Sequence, residues 1–373
     1  MNSIEKELSF GGVKSPEDYR KIKAEYLIGE ALPTPDSFFV DVTKIPVWNQ
    51  RSIGACTAFA SVKDKQISEY LQTSQVLSFS PRFTYILSKA NDGLPSSNQG
   101  TYYVMPLKML KIYGVCTEKL LLNDTSLSYE KYKDLSLLTQ EMYIEAANFK
   151  IPGYVDVSLD EESLKQGIMK FNGLDFGVNV GKEWWTDLNG KSSWNEKDVL
   201  PIRTPKEIIT GHALYLYGWD TIDNRTRFWF MNSWSDKWGK NGSGYFFYDE
   251  YKPYIVEALG VAEVPDEWIK QLQNLPPSNS FSHMFNTNIM MYTKSDEVKN
   301  LQTALMIDGE FSGSLYSQLL SSNQLGYYGE ITRKAVRDFQ YKYNVANVFE
   351  LMAVNGRYVG QKTRTQLNKL FVK

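Results

Sequence analysis

The sequence predicts an α+β fold followed by a small all-α domain, and three observations support this prediction. Residues 32–130 favour helices, whereas residues 150–260 contain several short strand-like runs. Residues 291–373 contain three amphipathic segments with helical spacing. We therefore expect a helix-rich lobe, a strand-rich lobe and a separate module of three helices.

The helical half is indicated by two segments in particular. A helix-compatible run extends from Ala55 to Gln72, directly after the turn-forming residues Ser52 and Gly54. The segment Val104–Tyr113 carries apolar residues close to helical spacing. Gly114 follows and is expected to end that helix.

The second half is predicted to contain five strands and one helix. The helix, Asp160–Met169, has acidic residues at its N-terminus, where they interact favourably with the helix dipole. The predicted strands are Ile151–Val157, Gly177–Val180, His212–Tyr217, Arg227–Met231 and Tyr245–Tyr248.

Composition shifts along the chain predict four regions. Residues 1–31 are charged and form an N-terminal extension, and residues 32–263 form the main domain. Residues 264–290 contain Pro276-Pro277 and a Ser- and Asn-rich run, which is typical of a linker. Residues 291–373 form the helical domain.

The helical domain contains an internal repeat. Its predicted helices are Glu297–Leu305, Thr332–Gln340 and Thr363–Leu370. The pattern from Gly326 through Gly329 to Thr332 recurs from Gly356 through Gly360 to Thr363. In each copy a glycine ends a loop and the threonine falls in the first turn of the next helix.

The overall composition excludes several classes of protein. A net charge of −2 gives no general attraction to nucleic acid or membranes. The first ten residues lack the apolar core of a signal peptide, and no apolar run approaches membrane-spanning length. We expect synthesis in the cytoplasm, with export by a non-Sec route or release by lysis left open.

The cysteines and histidines limit the chemistry further. Two cysteines, Cys56 and Cys116, cannot form a disulfide framework, and Cys116 is expected to be a buried small apolar residue. With two distant histidines and no phosphate-binding or metal-binding motif, no metal or cofactor is expected.

The stretch from Gln50 to Cys56 is the strongest candidate for a nucleophile site. A cysteine at the start of a helix lies near the positive end of the helix dipole, which favours the thiolate. The Cys56 N–H and the Gln50 side-chain amide can both point at a developing oxyanion. The alternative for Cys56, on this stretch alone, is an inert core residue.

A cysteine nucleophile needs a base and a group that orients the base. His212 lies in a strand-like run, whereas His283 lies in the predicted linker, so His212 is the candidate base. Asn232 ends the next strand and can fix the imidazole tautomer, and Trp234 can shield that hydrogen bond from water.

These three blocks, in this order, resemble the papain-like cysteine peptidases. The resemblance covers about residues 30–263, and Trp238-Gly239 and Gly244-Tyr245 extend it. It implies a two-lobed fold with a helical lobe and a β-barrel-like lobe, and a cleft between them. It also implies that Cys56 is the nucleophile, His212 the base, Asn232 its orienting residue and Gln50 the oxyanion residue.

The chain also departs from the family pattern. Arg51 and Ser235 stand where the family commonly has glycine, and Thr57 replaces the usual tryptophan after the nucleophile. Asn98–Thr101 occupies about the place of the family's Cys-Asn-Gly-Gly block. The disulfide cysteine before the nucleophile is absent, which resembles the disulfide-free bacterial-type branch. Residues 1–31 are too few to resemble the family's long helical propeptide.

The repeat in residues 291–373 resembles a small peptidoglycan-binding domain. This region carries eleven Lys and Arg against seven Asp and Glu, a net charge of +4, which suits an anionic wall polymer. The alternative is a helical appendage that only stabilises the main domain.

We therefore expect a cysteine endopeptidase that acts on peptide or protein substrates and is targeted by a peptidoglycan-binding module. One alternative is a cell-wall lysin that cuts stem peptides, and another is an inactive papain-like binding protein. The tryptophans Trp184, Trp185 and Trp194 form either a wall of the cleft or a set of surface aromatics packed on the barrel-like lobe.

Overall fold

The chain forms two compact units. The computed structural model describes residues 8, 10–16, 22–28, 33–262, 281–308, 319, 323–346 and 348–372. The first unit holds the described residues of 1–16 and 30–263, and the second holds those of 17–29 and 264–373. Residues 22–28, which the sequence places in an N-terminal extension, thus belong to the second unit.

Both units combine helices with strands. The helices are α1 Glu25–Ile28, α2 Cys56–Thr73, α3 Pro81–Asn91, α4 Val104–Ile112, α5 Tyr129–Tyr132, α6 Gln140–Ala146, α7 Glu161–Phe171, α8 Glu196–Val199, α9 Tyr248–Tyr251, α10 Asp296–Ile307, α11 Glu330–Lys342, α12 Val348–Val354 and α13 Gln361–Phe371. The strands are β1 Gly12–Val13, β2 Phe38–Phe39, β3 Thr101–Tyr102, β4 Tyr154–Asp156, β5 Leu174–Val180, β6 Thr210–Ile222, β7 Arg225–Met231, β8 Ser243–Phe247, β9 Ile255–Val261, β10 Ile289–Met290 and β11 Tyr358–Val359. Within the described part of the chain, no helix has the length and apolar character needed to cross a membrane.

Helix α2 is the central helix of the first unit. It is buried continuously from Cys56 to Ile67, so it contributes to the core on all sides of its first three turns. Small residues at its start allow this close packing. Helix α3 begins with a Ser80 cap that accepts the Phe83 N–H, and Pro81 occupies its first position. Helix α4 ends before Gly114, which has a φ of +82°, as the sequence predicts.

The sheet of the first unit has β6 at its centre. The strand order is β3-β1-β6-β5-β9-β4, while β2 and β7 also pair with β6, and β8 pairs with β7. Strand β6 is thirteen residues long and nearly all of its central residues are buried. The sheet does not close on itself, so the expected barrel-like lobe is an open, mostly antiparallel sheet. Strand β9, which the sequence analysis does not predict, pairs with β5 and β4.

The second unit has its own core and displays the internal repeat directly. Gly329 and Gly360 are the N-terminal caps of α11 and α13. Thr332 accepts a hydrogen bond from the Gln302 amide at 2.8 Å, and Thr363 accepts the equivalent bond from Gln340 at 3.0 Å. The two copies of the motif therefore share one local structure.

The described part of the second unit departs from the sequence prediction in two ways. It contains the additional helix α12 and a two-stranded sheet of β10 and β11 beside the three predicted helices. Phe281 and Phe285, which the sequence places in the linker, pack in its core. Ile22 packs against the same core. The remaining part of the predicted linker, residues 264–280, lies outside the described residues.

Candidate active site

The Cys56 thiol lies at the first residue of α2 and is completely buried. The nearby backbone groups of Ala213 and Gly11 act to lower the pKa of this thiol. Burial nevertheless raises the pKa of Cys56 to about 11. The sequence-based expectation of a thiolate at this helix start is therefore wrong for this conformation, because the loss of water outweighs the helix dipole and these backbone groups.

His212 and Asn232 form a hydrogen-bonded pair at the ends of neighbouring strands. Nε2 of His212, on β6, lies 2.9 Å from Oδ1 of Asn232, which follows β7. Because an amide oxygen only accepts, the proton resides on Nε2 and Nδ1 is left as an acceptor. Nδ1 is buried and has no hydrogen-bond partner within the described part of the structure. Burial lowers the pKa of His212 to about 4, so the ring is neutral at pH 7.

The proximity of Ala213 relates the thiol to this pair. Ala213 follows His212 directly on β6, so the Cys56 sulfur lies beside the backbone next to the histidine. Gln50 contacts the residue that follows Asn232, because the Gln50 backbone N–H donates to the Ser233 carbonyl at 2.8 Å. The structure thus brings together all four residues that the sequence singles out: Gln50, Cys56, His212 and Asn232.

The Gln50 side chain is held in a fixed orientation. It is fully buried, and its Nε2 donates to the Ile53 carbonyl at 3.0 Å. The Ser233 hydroxyl donates to its Oε1. These two contacts show which end of the side-chain amide is the donor. Its N–H groups point toward the loop that leads into α2.

Aromatic rings enclose the histidine. Trp234 stacks on the imidazole with ring centroids 4.7 Å apart and an interplanar angle of 27°. It is 2% exposed, so it shields the His212–Asn232 hydrogen bond from water, as the sequence predicts. Trp184 contacts the imidazole edge-on at 6.1 Å.

Trp184 and Trp185 are buried, so the alternative of surface aromatics is wrong for these two. Trp184 is a core residue, stacked on Phe230 and Trp238. Trp194 lines a cavity of about 270 Å³ beside Asn49 and Trp234. Trp185 packs against Trp234 and against Phe10 from the N-terminal segment.

The N-terminal segment lies over the site, which the sequence analysis does not anticipate. The Phe10 ring lies 6.0 Å from that of His212 and 5.7 Å from that of Trp234. Gly12 pairs with Thr101 on one side and with Gly211 on the other. The sequence feature that could have indicated this contact is the Gly11-Gly12 pair after Phe10, because paired glycines allow another backbone to approach closely.

The remaining candidates lie away from the site. Cys116 is a fully buried core residue that packs with Phe83 and Met109. Burial raises the pKa of Cys116 to about 12, consistent with an inert thiol. His283 belongs to the second unit, where its Nε2 lies 2.8 Å from the Glu297 carboxylate.

A two-lobed fold with a cysteine at a helix start, beside a His–Asn pair, defines a cysteine protease of the papain type. The model of the papain family of cysteine proteases matches residues 39–258, which is more than half of the chain. The chain belongs to the papain family. The model of a peptidoglycan binding domain matches residues 294–347.

A solved cysteine protease shares the fold of most of this chain, and two further structures show a weaker similarity. Xylellain, a cysteine protease from Xylella fastidiosa, has a TM-score of 0.58 and 21% identity, covering 71% of this chain and 99% of that one. Digestive procathepsin L 3 of Tenebrio molitor has a TM-score of 0.49 and 16% identity, covering 65% and 76%. A structure from work on the mite allergens Blo t 1 and Der p 1 has a TM-score of 0.49 and 17% identity, covering 67% and 75%. No curated protein matches the chain.

Proposed function

We propose that this chain is an endopeptidase that cleaves peptide bonds with Cys56 as nucleophile and His212 as base. The observation that carries the proposal is the hydrogen bond between His212 and Asn232, which leaves Nδ1 of the imidazole as an acceptor. The residue after His212, Ala213, lies beside the Cys56 thiol. An acceptor nitrogen beside a thiol at a helix start is the arrangement that activates a cysteine.

The proposed reaction proceeds in two stages. His212 accepts the thiol proton at Nδ1 while the Cys56 sulfur attacks the peptide carbonyl carbon. The Gln50 amide and the Cys56 N–H stabilise the resulting oxyanion. The imidazolium then protonates the leaving amine, and a thioester remains on Cys56. Water, deprotonated by His212, hydrolyses the thioester and restores the thiol.

A second set of residues orients the reacting groups and does not itself react; its members are Asn232, Trp234 and Ser233. Asn232 holds the proton on Nε2 and stabilises the imidazolium as it forms, and Trp234 keeps this hydrogen bond dry. Ser233 holds the Gln50 amide in place. Each of these contacts restricts motion of a reacting group, which contributes to catalysis by positioning.

The substrate is proposed to be a protein or peptide, and a specific observation also favours a second candidate. The match of residues 294–347 to a peptidoglycan binding domain favours a lysin that cuts stem peptides. Incubation of the full chain with casein and with purified sacculi distinguishes the two. Release of casein fragments without loss of sacculus turbidity supports the endopeptidase. Clearing of sacculi with intact casein supports the lysin, and no cleavage of either supports an inactive binding protein.

Residues 291–373 are proposed to localise the enzyme to cell walls. Synthesis would be cytoplasmic, followed by non-Sec export or release by lysis. The full-length Cys56→Ala chain, which cannot digest its ligand, is expected to sediment with purified walls. A net charge of +4 on this region implies that salt weakens the binding only in part. If the chain stays in the supernatant at low salt while its circular dichroism is unchanged, the targeting role is wrong.

A further inference from the structure

A cavity of about 270 Å³ lies beside the proposed catalytic residues. Asn49 and Arg51, the two neighbours of Gln50 in the sequence, line one part of it. Trp234, which stacks on the imidazole of His212, lines another part. The cavity is therefore bounded by the segment that carries the oxyanion residue and by the ring that covers the base. Its volume is far above what one water molecule needs, so it can hold an amino-acid side chain.

The proposed reaction places this cavity on the leaving-group side of the cleft. The carbonyl oxygen of the substrate points to Gln50, and the leaving nitrogen points to His212, which protonates it. The residues that follow the cleaved bond therefore continue from the histidine toward Trp234, whose ring centroid lies 4.7 Å from that of the imidazole. Beyond this ring they meet the cavity.

Two cationic side chains line the cavity, and the other lining residues carry no charge. The cations are Arg51 and Lys237, and both residues are exposed. Among the residues that the structure describes, neither cation has an ion-pair partner. Arg51 acts on the pKa of Asp124, but hydrogen bonds from Ser126 lower that pKa more than the charge of Arg51 does. The cavity thus presents two positive charges without an acidic group in contact with them.

Backbone contacts hold the two cations at the same cavity. Asn49 pairs with Trp234 in an isolated antiparallel bridge. This bridge joins the loop of Arg51 to the loop of Lys237. The Arg51 N–H donates to Oδ1 of Asn49 at 3.0 Å. The Lys237 N–H donates to the Ser235 hydroxyl at 3.3 Å. Because Arg51 stands where the family commonly has glycine, this charge is a feature of this chain.

We propose that Arg51 and Lys237 select substrates with a carboxylate within the first two residues after the cleaved bond. The carboxylate belongs to an Asp or Glu side chain or to the free C-terminus of a short peptide. Hydrogen bonds from cationic donors to a carboxylate are stronger than those between neutral groups. The Trp194 ring offers an apolar wall to the methylene groups of the side chain. The inference rests on the proposed function, because the reaction defines which side of the cleft the cavity serves.

The test compares short peptides that differ only as Glu or Gln at one position, all with amidated C-termini. The full chain digests an equimolar mixture of them, and mass spectrometry identifies each cleaved bond. Glu within two residues after that bond is expected to raise kcat/KM about fivefold over Gln. Because the cations are exposed, salt at about 1 M is expected to remove most of this difference. A third set, with Gln and a free C-terminus, shows whether a terminal carboxylate serves equally.

Substitution of the cations shows whether they provide the preference. In the full-length double variant Arg51→Gln with Lys237→Gln, the preference for Glu over Gln peptides is expected to disappear. Lys237→Arg keeps the charge and is expected to keep the preference. Lys108→Gln is the matched control, because it removes an exposed cation of α4 that does not line the cavity, and it is also expected to keep the preference.

Binding of uncleaved peptides separates this inference from the proposed function. The full-length Cys56→Ala chain, with and without the two Gln substitutions, is titrated with the same peptides and followed by tryptophan fluorescence. Tighter binding of carboxylate peptides that is lost with the Gln substitutions, together with no hydrolysis by the wild-type chain, supports the selectivity and contradicts the peptidase. Equal cleavage of all three peptide sets, or a preference that persists in the double variant, contradicts the selectivity and supports the peptidase. Neither binding nor hydrolysis of any peptide contradicts both.

Discussion

At the residue scale, the four site residues are proposed to have separate tasks, so their substitutions should differ in cost. Cys56→Ala and His212→Ala are expected to abolish peptide hydrolysis. Gln50→Ala is expected to lower kcat by about 10²–10³, the usual loss for one oxyanion donor. Asn232→Ala should be milder, because Asn232 only orients the base. Steady-state kinetics on a soluble peptide measure all four, and an Asn232→Ala chain that is folded yet as inactive as Cys56→Ala would contradict the orienting role.

The residue types at the site were predictable from sequence, but their environment was not. The spacing of Gln50 and Cys56 and the strand-end positions of His212 and Asn232 identify the candidates. Burial raises the pKa of Cys56, and the site is also contacted by Gly11 and Phe10, which are more than forty residues away along the chain. No local sequence pattern indicates that Cys56 is buried.

Two departures from the family pattern have a backbone consequence. Arg51 and Ser235, where the family commonly has glycine, adopt φ values of +47° and +71°. These values lie in the left-handed region, which is unfavourable for residues with a Cβ. At these two positions the chain therefore adopts a backbone conformation that favours glycine, although neither residue is a glycine.

At the element scale, the contact between α2 and β5 contains two buried carboxyl groups. Asp64 of α2 and Asp175 of β5 are 2% and 6% exposed. Burial raises the pKa of Asp175 to about 8, and the charge of Glu257 contributes to the rise. Burial and the charge of Asp175 raise the pKa of Asp64 well above its usual range. The folded chain therefore keeps protons here that an unfolded chain releases near pH 4.

This pair predicts a loss of stability as the pH rises. A carboxyl group whose pKa is raised by folding stabilises the fold below its unfolded pKa, and that contribution declines from about pH 4 to about pH 8. The gain in free energy of unfolding from Asp175→Asn, relative to the wild type, should be larger at pH 8 than at pH 5 by at least about 1 kcal/mol. Urea unfolding followed by tryptophan fluorescence measures this, with exposed Asp223→Asn as the control. An equal effect of Asp175→Asn at both pH values would contradict the raised pKa.

The repeat of the second unit predicts unequal roles for its two glutamines. Gln302 donates to Thr332 and to the carbonyls of Gln324 and Tyr327, and it accepts the Gly326 N–H at 2.7 Å. Gln340 donates to Thr363 and to the Tyr358 carbonyl, and its Oε1 has no partner within the described part of the structure.

Because a buried hydrogen bond contributes about 1 kcal/mol, Gln302→Ala should destabilise this unit by about 1–3 kcal/mol more than Gln340→Ala. Hydrogen exchange of amides in α10 and α13 reports the difference. Equal protection in the two variants would show that the additional bonds of Gln302 contribute nothing.

The long elements were predictable from periodicity and the short ones were not. Helices α2, α7, α10, α11 and α13 carry clear apolar spacing and lie within a few residues of their predicted bounds. Strands β1 and β3 have two residues each and are defined by pairing between distant parts of the chain, of β1 with β3 and of β1 with β6. Such pairing is non-local, so sequence patterns of period two do not reveal it.

At the scale of the whole molecule, the chain combines a papain-family cysteine protease with a peptidoglycan-binding module, each with its own core. The four regions drawn from composition remain predictions, but the structure adds two facts. Residues 22–28 belong to the second unit, and residues 10–16 belong to the first, where they cover the active site. Composition alone assigns both segments to one charged extension, because it does not show which surface a segment contacts.

The most direct test of the account is whether peptide hydrolysis depends on Cys56 and not on Cys116. Three full-length chains are compared on one soluble peptide: the wild type, Cys56→Ala and Cys116→Ala. The account predicts hydrolysis by the first and third chains and none by the second. Hydrolysis that persists without Cys56, or its absence from the first chain when Cys56 is fully accessible to iodoacetamide, would contradict it.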